Sequence, residues 1–411
     1  MTSPTRRGFL ATAAAIPLAY TFGKAKEPEG PKPISIAAGN NAFACELYGQ
    51  LKSTKENVFF SPFSIEAALA MTSVGANGNT LVEMQKTLHL PLEVKLANAG
   101  FKAMIAALNN DKVPAAKRGY ELSVANALWG MKGYPWRKEF LTTTNENYGA
   151  GLIDTDFTMP DAARGIINAW VEKETRDKIK NLIPKGALTP LTRLVLTNAI
   201  YFKGTWEVPF EKSQTKKGPF HAGGEKHEIP LMHRHAAMGY AETADYQAIE
   251  LPYKGRETSM LVWLPRKAEG FADLEKKLSG TTIADTVKAL QPRITVDLTL
   301  PRFKVETESS LREPLEALGM KDVFDEKKAD LTRMHSGREA LSVSAVLHKA
   351  FVDVNEEGTE AAAATGVIVG ATSAPIPVEP KVFRADRPFL FAIRHTPSNT
   401  VLFLGRLSKI G

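Results

Sequence analysis

The amino-acid sequence predicts an α+β fold in which helices precede a larger set of strands. In the first half of the 411-residue chain, apolar residues recur at the spacing of one helix face. In the second half, short runs rich in β-branched and aromatic residues end at turn residues. Because helices and strands are segregated along the chain, long sheets are favoured over an alternating parallel sheet.

The predicted elements rest on these two periodicities. Helices are predicted at residues 34–52, 65–74, 101–108 and 162–182. Strands are predicted at residues 194–202, 248–251, 259–264, 294–300, 341–355, 389–393 and 400–407. The chain is 44% hydrophobic and is long enough to bury a large core. No linker rich in Pro, Gly or Ser interrupts it after the N-terminus, which favours one domain over residues 34–411.

The N-terminus has the pattern of a twin-arginine export signal. Arg6 and Arg7 precede a Phe-Leu pair and a short apolar run at residues 11–19. That run is far shorter than the ~20 residues that cross a bilayer, so no stable membrane anchor is expected. We expect residues 1–25 to be the signal and 26–33 a flexible leader, with the protein periplasmic or extracellular. The alternative is a disordered basic tail.

Composition and motifs give no support for nucleic-acid binding or catalysis. Loss of residues 1–25 removes Arg6, Arg7 and Lys24 but no acidic residue, which lowers the formal net charge from +7 to only +4. The single cysteine, Cys45, excludes an intramolecular disulfide. Nucleophile-elbow, zinc-protease and phosphate-loop motifs are missing, so we expect neither an enzyme nor a cofactor.

Four histidines close together in sequence raise the question of a metal site. They have no acidic partner at a fixed helical spacing, so histidines of a solvated loop are favoured over metal ligands. These residues are His221, His227, His233 and His235.

The most informative segment runs from a predicted strand into a stretch of small residues. If the chain stayed extended after Gly358, one face would carry only Thr, Ala and Val as far as Val369. No proline lies between Gly358 and Pro375, and a strand that enters the interior of a sheet must lack proline. The segment could therefore enter a sheet as a new strand. An Ala-rich surface helix or a flexible linker is the alternative.

Four motifs in sequence order resemble the serpin family. Residues 57–65 read NVFFSPFSI, and residues 196–206 read LTNAIYFKGTW. The triplet HKA at 348–350 is followed by NEEGTEAA at 355–362, and ADRPFLF occupies 385–391. The resemblance covers nearly the whole chain from about residue 34 and is to a bacterial member with an inhibitory-type hinge. It implies one domain of three β-sheets and eight or nine helices, with an exposed reactive loop at about 356–380.

The same resemblance implies a mechanism. A target serine protease cleaves the loop, the loop inserts into the main sheet as a new strand, and the protease stays trapped as an acyl-enzyme. The protease supplies the nucleophile, so the inhibitor needs no catalytic set. The implied partner is the protease in a covalent complex, and the inhibitor is implied to be a monomer.

Site residues are carried over from the motifs that match. The implied hinge consists of Gly358, Thr359, Glu360, Ala361, Ala362, Ala363, Ala364 and Thr365. The implied sheet-opening cluster consists of Ser61, Ser64, Asn198 and His348, which could equally be ordinary hydrogen-bonded core residues. The implied hinge base consists of Glu356, Arg302 and Trp206, and a surface ion pair of little energetic consequence is the alternative.

The family's hinge spacing predicts a reactive bond at Thr372–Ser373, with Ala371–Thr372 and Ser373–Ala374 as alternatives. No basic or large aromatic residue lies between Val367 and Ala374, so elastase-like or subtilisin-like targets are favoured over trypsin.

Two alternatives remain open at this point. The first is a non-inhibitory serpin that acts as a binding or chaperone-like protein, although the small hinge residues favour an inhibitor. The second is regulation by a polyanion through Lys112, Lys117 and Arg118, for which a solvated basic loop is an equal explanation.

Overall fold

The computed structural model describes residues 35–109, 118–337, 340–359 and 379–410. Within them lie nine α-helices: α1 (Ala37–Leu51), α2 (Pro62–Ser73), α3 (Gly78–Thr87), α4 (Val94–Asn109), α5 (Lys138–Tyr148), α6 (Pro160–Glu174), α7 (Phe271–Lys277), α8 (Gly280–Ala289) and α9 (Arg312–Ala317). None of the helices described is long and apolar enough to cross a membrane.

The same residues form fifteen strands, twelve of which begin at or after Leu194, as the segregated pattern predicts. They are β1 (Val58–Phe60), β2 (Tyr120–Met131), β3 (Leu152–Thr155), β4 (Leu194–Thr205), β5 (Lys216–Ala222), β6 (Glu225–Glu242), β7 (Tyr246–Pro252), β8 (Thr258–Pro265), β9 (Gln291–Pro301), β10 (Phe303–Ser310), β11 (Ala345–Val354), β12 (Gly358–Thr359), β13 (Lys381–Arg384), β14 (Phe389–His395) and β15 (Thr400–Leu407).

The strands are hydrogen-bonded into two sheets. A six-stranded sheet has the order β10-β11-β12-β4-β2-β3. A nine-stranded sheet has the order β1-β15-β14-β8-β7-β6-β9-β13, with β5 paired to β6. The long strand β6 pairs with β5 near its start and with β7 near its end, so it joins what were expected to be two separate sheets. The α+β class is as predicted, and the nine helices of the described residues fall within the eight or nine that were expected.

Strand β4 is buried on both faces. Leu194, Leu196 and Ile200 belong to the main core, which lies between the sheets and α1 and α2. Val195 and Ala199 alternate with them and belong to a second core cluster beneath α6. This alternation follows from the two-residue period of a strand.

The prediction of a helix over 162–182 is wrong beyond Glu174. The helix ends there, and Arg176 and Asp177 adopt positive φ angles of 54° and 61° that no α-helix tolerates. Ile179 and Leu182 are nevertheless fully buried in the second core cluster. The apolar pattern therefore indicated burial correctly but not conformation.

Two long strands were not predicted from the sequence. Strand β2 contains small and polar residues, and β6 contains Pro230 among several histidines, so neither has a run of β-branched residues. The expectation of a histidine loop is consequently wrong, because all four lie on strands β5 and β6: His221, His227, His233 and His235.

Candidate functional site

The hinge enters the six-stranded sheet at Gly358 and Thr359. These two residues form strand β12, which is antiparallel to both β11 and β4. Thr359 lies opposite Val354 on one side and Gly204 on the other. The first two residues of the predicted hinge thus already occupy a strand position between the two central strands.

Below β12 the two central strands pair directly with each other. Residues 345–351 of β11 pair with residues 195–201 of β4 in parallel. We call this directly paired stretch of β11 and β4 the seam. The seam ends where β12 begins.

The side chain of Thr359 is buried, and its hydroxyl group has a hydrogen-bond partner in the core. Its side chain is fully buried and shares a hydrogen bond of 2.6 Å with the hydroxyl of Tyr253. Burial raises the pKa of the Tyr253 phenol. The Tyr253 ring in turn stacks on Trp206, with ring centroids 4.6 Å apart. The hydrogen bond of Thr359 therefore depends on Tyr253, a residue that was not predicted from the sequence.

Gly358 is required by a close approach of two backbones. A Cβ atom at this position would lie 1.9 Å from the carbonyl oxygen of Gly204. The amide of Asn355 donates to the carbonyl of Gly358 at 2.9 Å, which closes a tight turn before β12. No other residue type fits here without moving β4.

Two of the three residues of the predicted hinge base, Glu356 and Arg302, form an ion pair. Glu356, which is 2% exposed, contacts the guanidinium of Arg302 and accepts a hydrogen bond of 2.6 Å from Thr215 Oγ1. Burial acts to raise the pKa of Glu356, but the hydrogen bonds from Arg302 and Thr215 outweigh it and lower that pKa. Lys212 adds a second pair with Glu357 at 2.7 Å. The base is therefore a small network rather than one surface pair.

Trp206 binds the backbone of the turn at residues 355–358. Its backbone amide donates to the carbonyl of Glu357 at 3.0 Å, and its indole Nε1 donates to the carbonyl of Asn355 at 2.9 Å. The amide of Phe210 donates to the carbonyl of Glu356 at 2.8 Å. The segment after β4 thus fixes the hinge base through three backbone acceptors.

The four residues of the predicted sheet-opening cluster meet at the seam. Ser61, Ser64, Asn198 and His348 are all fully buried. The Ser61 amide donates to His348 Nε2 at 3.2 Å, and Asn198 Nδ2 donates to Ser64 Oγ at 2.7 Å. His348 and Asn198 lie directly opposite each other in the β11–β4 pairing. Their role in opening the sheet stays a prediction.

The hydrogen bonds assign His348 a neutral ring. Nε2 accepts from the Ser61 amide, so the proton is on Nδ1, which donates to Asn198 Oδ1. Burial lowers the pKa of His348 to about 3. His348 therefore adds no charge to the seam, and its link to Asn198 on the other strand is a neutral hydrogen bond.

Asn126 of β2 completes the cluster and was missed from the sequence. Its Oδ1 accepts from Ser64 Oγ at 2.9 Å, and its Nδ2 donates to the Ser64 carbonyl at 3.0 Å. It pairs with Asn198 across β2 and β4. Because β2 was not predicted as a strand, no signal placed Asn126 beside β4.

Several predicted residues lie outside the described part of the chain. These are Glu360, Ala361, Ala362, Ala363, Ala364, Thr365, Thr372 and Ser373, together with Lys112 and Lys117. Arg118 is described and directly precedes β2 by two residues. Among residues 35–109, 118–337, 340–359 and 379–410, no group of three or more His, Cys, Asp or Glu could hold a metal ion.

Comparison with known proteins identifies the class to which this architecture belongs. A family model described as serpin (serine protease inhibitor) matches residues 38–410. The leukocyte elastase inhibitor of Bos taurus is 42% identical over 91% of this chain and 99% of its own length. An uncharacterized serpin-like protein of Thermococcus kodakarensis is 40% identical over 92% of this chain and 85% of its own.

Solved structures agree with the sequence comparisons. A highly specific serpin of the insect Tenebrio molitor is 33% identical, with a TM-score of 0.79 over 92% of this chain and 98% of its own. The native thermophilic serpin tengpin is 30% identical, with a TM-score of 0.81 over 91% and 94%. The chain belongs to the serpin family, whose members typically inhibit serine proteases through a covalent complex and are not enzymes.

Proposed function

We propose that this chain inhibits serine-type endopeptidases as a suicide substrate. The observation that carries the proposal is the two-residue strand β12, which lies antiparallel between β4 and β11 at the end of a direct parallel seam. After a protease cuts the loop, the chain that follows Thr359 would extend this strand down the seam. The attached acyl-enzyme would then be carried along and distorted.

The registers support one specific path for the inserted strand. Thr359 faces Gly204 and Val354, and antiparallel pairing advances one residue on the new strand for each residue back on its neighbours. Residue 365 would therefore arrive between Asn198 and His348, which face each other now. Because β4 begins at Leu194 and β11 at Ala345, the ladder would end at about residue 369.

The side chains of the loop suit this path. Positions that share the face of Thr359 would point into the main core between Phe202 and Val352, and the next positions on that face are Ala361 and Ala363. Small residues can pass there with little repacking. About ten new strand residues at ~1 kcal/mol net per hydrogen bond give on the order of 10 kcal/mol, comparable to the stability of a whole domain.

The predicted targets are elastase-like or subtilisin-like proteases. Thr372, the residue before the predicted bond, is small, and a trypsin-like pocket would leave its acidic residue unpaired. The similarity to the leukocyte elastase inhibitor supports the same class of target. We further propose that the protein acts as a monomer.

A gel assay with a matched variant tests the mechanism. An elastase-like protease should form an SDS-resistant complex with the wild-type protein, and the same protease with its nucleophile blocked should form none. Ala361→Pro removes an N–H that the inserted strand needs, so this variant should be cleaved without trapping the protease. Equal amounts of complex from both proteins would exclude insertion through residue 361.

The alternative function is a binding or chaperone-like protein that inhibits no protease. Thyroxine-binding globulin, solved with thyroxine, has a TM-score of 0.80 to this chain, so the fold alone does not decide between the two. Cleavage without complex formation for every serine protease tested would favour this alternative.

Export is proposed on the N-terminal pattern alone. The twin-arginine motif at Arg6 and Arg7 supports residues 1–25 as a signal and a periplasmic or extracellular location. Residues 26–33 would be a leader, and 34–411 the inhibitor domain.

A further inference from the structure

A cavity of about 550 Å³ lies beside the segment that holds the hinge base, and its lining is rich in arginine. Four guanidinium groups line it, from strands β6, β9 and β14 and from the turn between β7 and β8. They belong to Arg234, Arg256, Arg293 and Arg394. Four arginines around one cavity create a positive potential unless carboxylates balance them.

Carboxylates balance only two of the four. Arg394 pairs closely with Glu250, and Arg256 pairs with Glu207 at 3.3 Å, and both acids also line the cavity. Within the described part of the chain, neither Arg234 nor Arg293 has an ion pair. The lining therefore carries two more positive than negative groups.

Arg234 is the group that most clearly lacks an anion. Its guanidinium bonds to the carbonyl of Val208 and lies over the Phe210 ring, 4.6 Å from the ring centroid. Its buried Nε has no hydrogen-bond partner among the described residues, and burial lowers the pKa of Arg234 to about 10. Nε of Arg394, a residue only 3% exposed, is likewise without an acceptor in the part of the chain described. Buried charges in proteins are ordinarily paired.

Arg293 is turned toward the cavity by a β-bulge. The register between β6 and β9 shifts so that Pro292 and Arg293 together face the single residue Gly239. Arg293 has a φ of 59°, a left-handed conformation that is uncommon for a residue other than glycine. Bulges of this kind redirect a side chain out of the regular alternation and are frequent beside binding sites.

The rest of the lining is apolar. Val208, Met238, Val287, Leu290 and Pro292 supply hydrocarbon surface from four different parts of the chain. Mostly apolar walls with a few convergent charged groups are typical of sites for small organic ligands. A bulky polyelectrolyte would not use such walls.

We propose that this cavity binds a small organic anion, with one carboxylate or phosphate held by Arg234 and Arg293 and an apolar body against Val287 and Leu290. Guanidinium groups bind such oxyanions through paired hydrogen bonds, which fits two arginines that have no carboxylate partner. The site is connected to the hinge base through two contacts. Arg234 contacts Val208 and Phe210, and the Phe210 amide donates to the carbonyl of Glu356.

Calorimetric titration of the intact protein tests the proposal with a matched pair of probes. 2-Naphthoate carries a carboxylate on an apolar body, and 2-naphthamide has the same shape without the charge. We expect saturable binding of the acid and at least about tenfold weaker binding of the amide.

Two variants locate the site. Arg293→Gln removes an exposed charge and should weaken naphthoate binding by roughly tenfold or more, and it should leave the fold intact. Lys288→Gln is the control, because Lys288 lies on the same helix as Val287, is exposed and does not line the cavity. Arg234→Gln removes the other guanidinium assigned to the anion and gives a second, independent reduction if Arg293→Gln is poorly folded.

Three outcomes would overturn the proposal. These are equal binding of the acid and the amide, equal weakening by Lys288→Gln and Arg293→Gln, and no saturable binding of naphthoate up to about 10 mM. None of them bears on protease inhibition, which is measured separately by complex formation.

Discussion

If the proposed mechanism holds, replacing Thr359 by arginine should give a protein that the protease cleaves as a substrate without being trapped. The wild-type side chain is fully buried, and its only hydrogen-bonding group is matched to the hydroxyl of Tyr253. An arginine here would place an unpaired guanidinium between β4 and β11, where β12 already lies before cleavage. The hinge would then leave the sheet in the uncleaved variant, and insertion would have to bury that charge.

The expected size of the effect follows from the cost of burying a charge. An unpaired ion in a protein interior costs several kcal/mol, and we take ~4 kcal/mol for a position with no exposure. If half of this cost is felt in the transition state for insertion, insertion slows by about 30-fold, since each 1.36 kcal/mol is a factor of ten in rate. The acyl-enzyme would then be hydrolysed before the slower insertion is complete.

Inhibition stoichiometry measures this competition directly. With an elastase-like protease, the number of Thr359→Arg molecules cleaved without trapping, for each protease trapped, should rise by roughly the same factor of about 30. Thr359→Ser keeps the hydroxyl that meets Tyr253 and should behave like the wild type. If Thr359→Arg trapped as much protease per cleaved molecule as Thr359→Ser, insertion through Thr359 would be refuted.

Three further predictions concern other parts of the chain. His348 has a folded pKa of about 3 against about 6.5 when unfolded, so stability should fall by about 1.4 kcal/mol per pH unit as pH drops below 6.5. Urea unfolding at pH 7 and pH 5 should show this loss in the wild type and a smaller loss in His348→Gln. Thr372→Arg should raise the association rate with trypsin relative to elastase-like proteases. An unchanged protease profile would exclude Thr372 as the residue that occupies the protease's specificity pocket. Replacing Arg6 and Arg7 by lysine should leave unprocessed protein in the cytoplasm, because the export receptor reads guanidinium groups, and normal processing on an immunoblot would contradict the signal assignment.

The turn that leads into the predicted hinge could be anticipated from the sequence because its determinants are local. The turn of residues 355–358 is built from consecutive residues, and a glycine after two glutamates is visible in the sequence as a strand interruption. Strand β4 was likewise predicted from its own β-branched residues, although the structure extends it from residue 202 to Thr205. The cluster residues Asn198 and His348 were reached through motifs that lie on β4 and β11 themselves.

The partners of these residues could not be predicted, because they come from elements without a local signal. Asn126 lies on β2, whose small and polar residues give no sequence signal of a strand. Tyr253 lies just beyond the end of β7. Both contact the site only because strands distant in sequence become neighbours. The arginines of the cavity are spread from Arg234 to Arg394, so only the folded chain brings them together.

The registers indicate how side chains of the proposed inserted strand would replace contacts that are lost when the seam opens. Separation of β4 from β11 would break the bond between His348 and Asn198, and both side chains are fully buried, so each would lose free energy if left without a partner. In the proposed inserted state the residue that arrives between them is Thr365, and its hydroxyl can both donate and accept. Positions 361 and 363 are alanines, and in that inserted state they would face the apolar pairs Phe202 with Val352 and Ile200 with Ala350. A hydroxyl at 365 and methyl groups at 361 and 363 thus match the polar and apolar levels of the seam, which is the pattern expected of a segment that has to fit the sheet interior after cleavage.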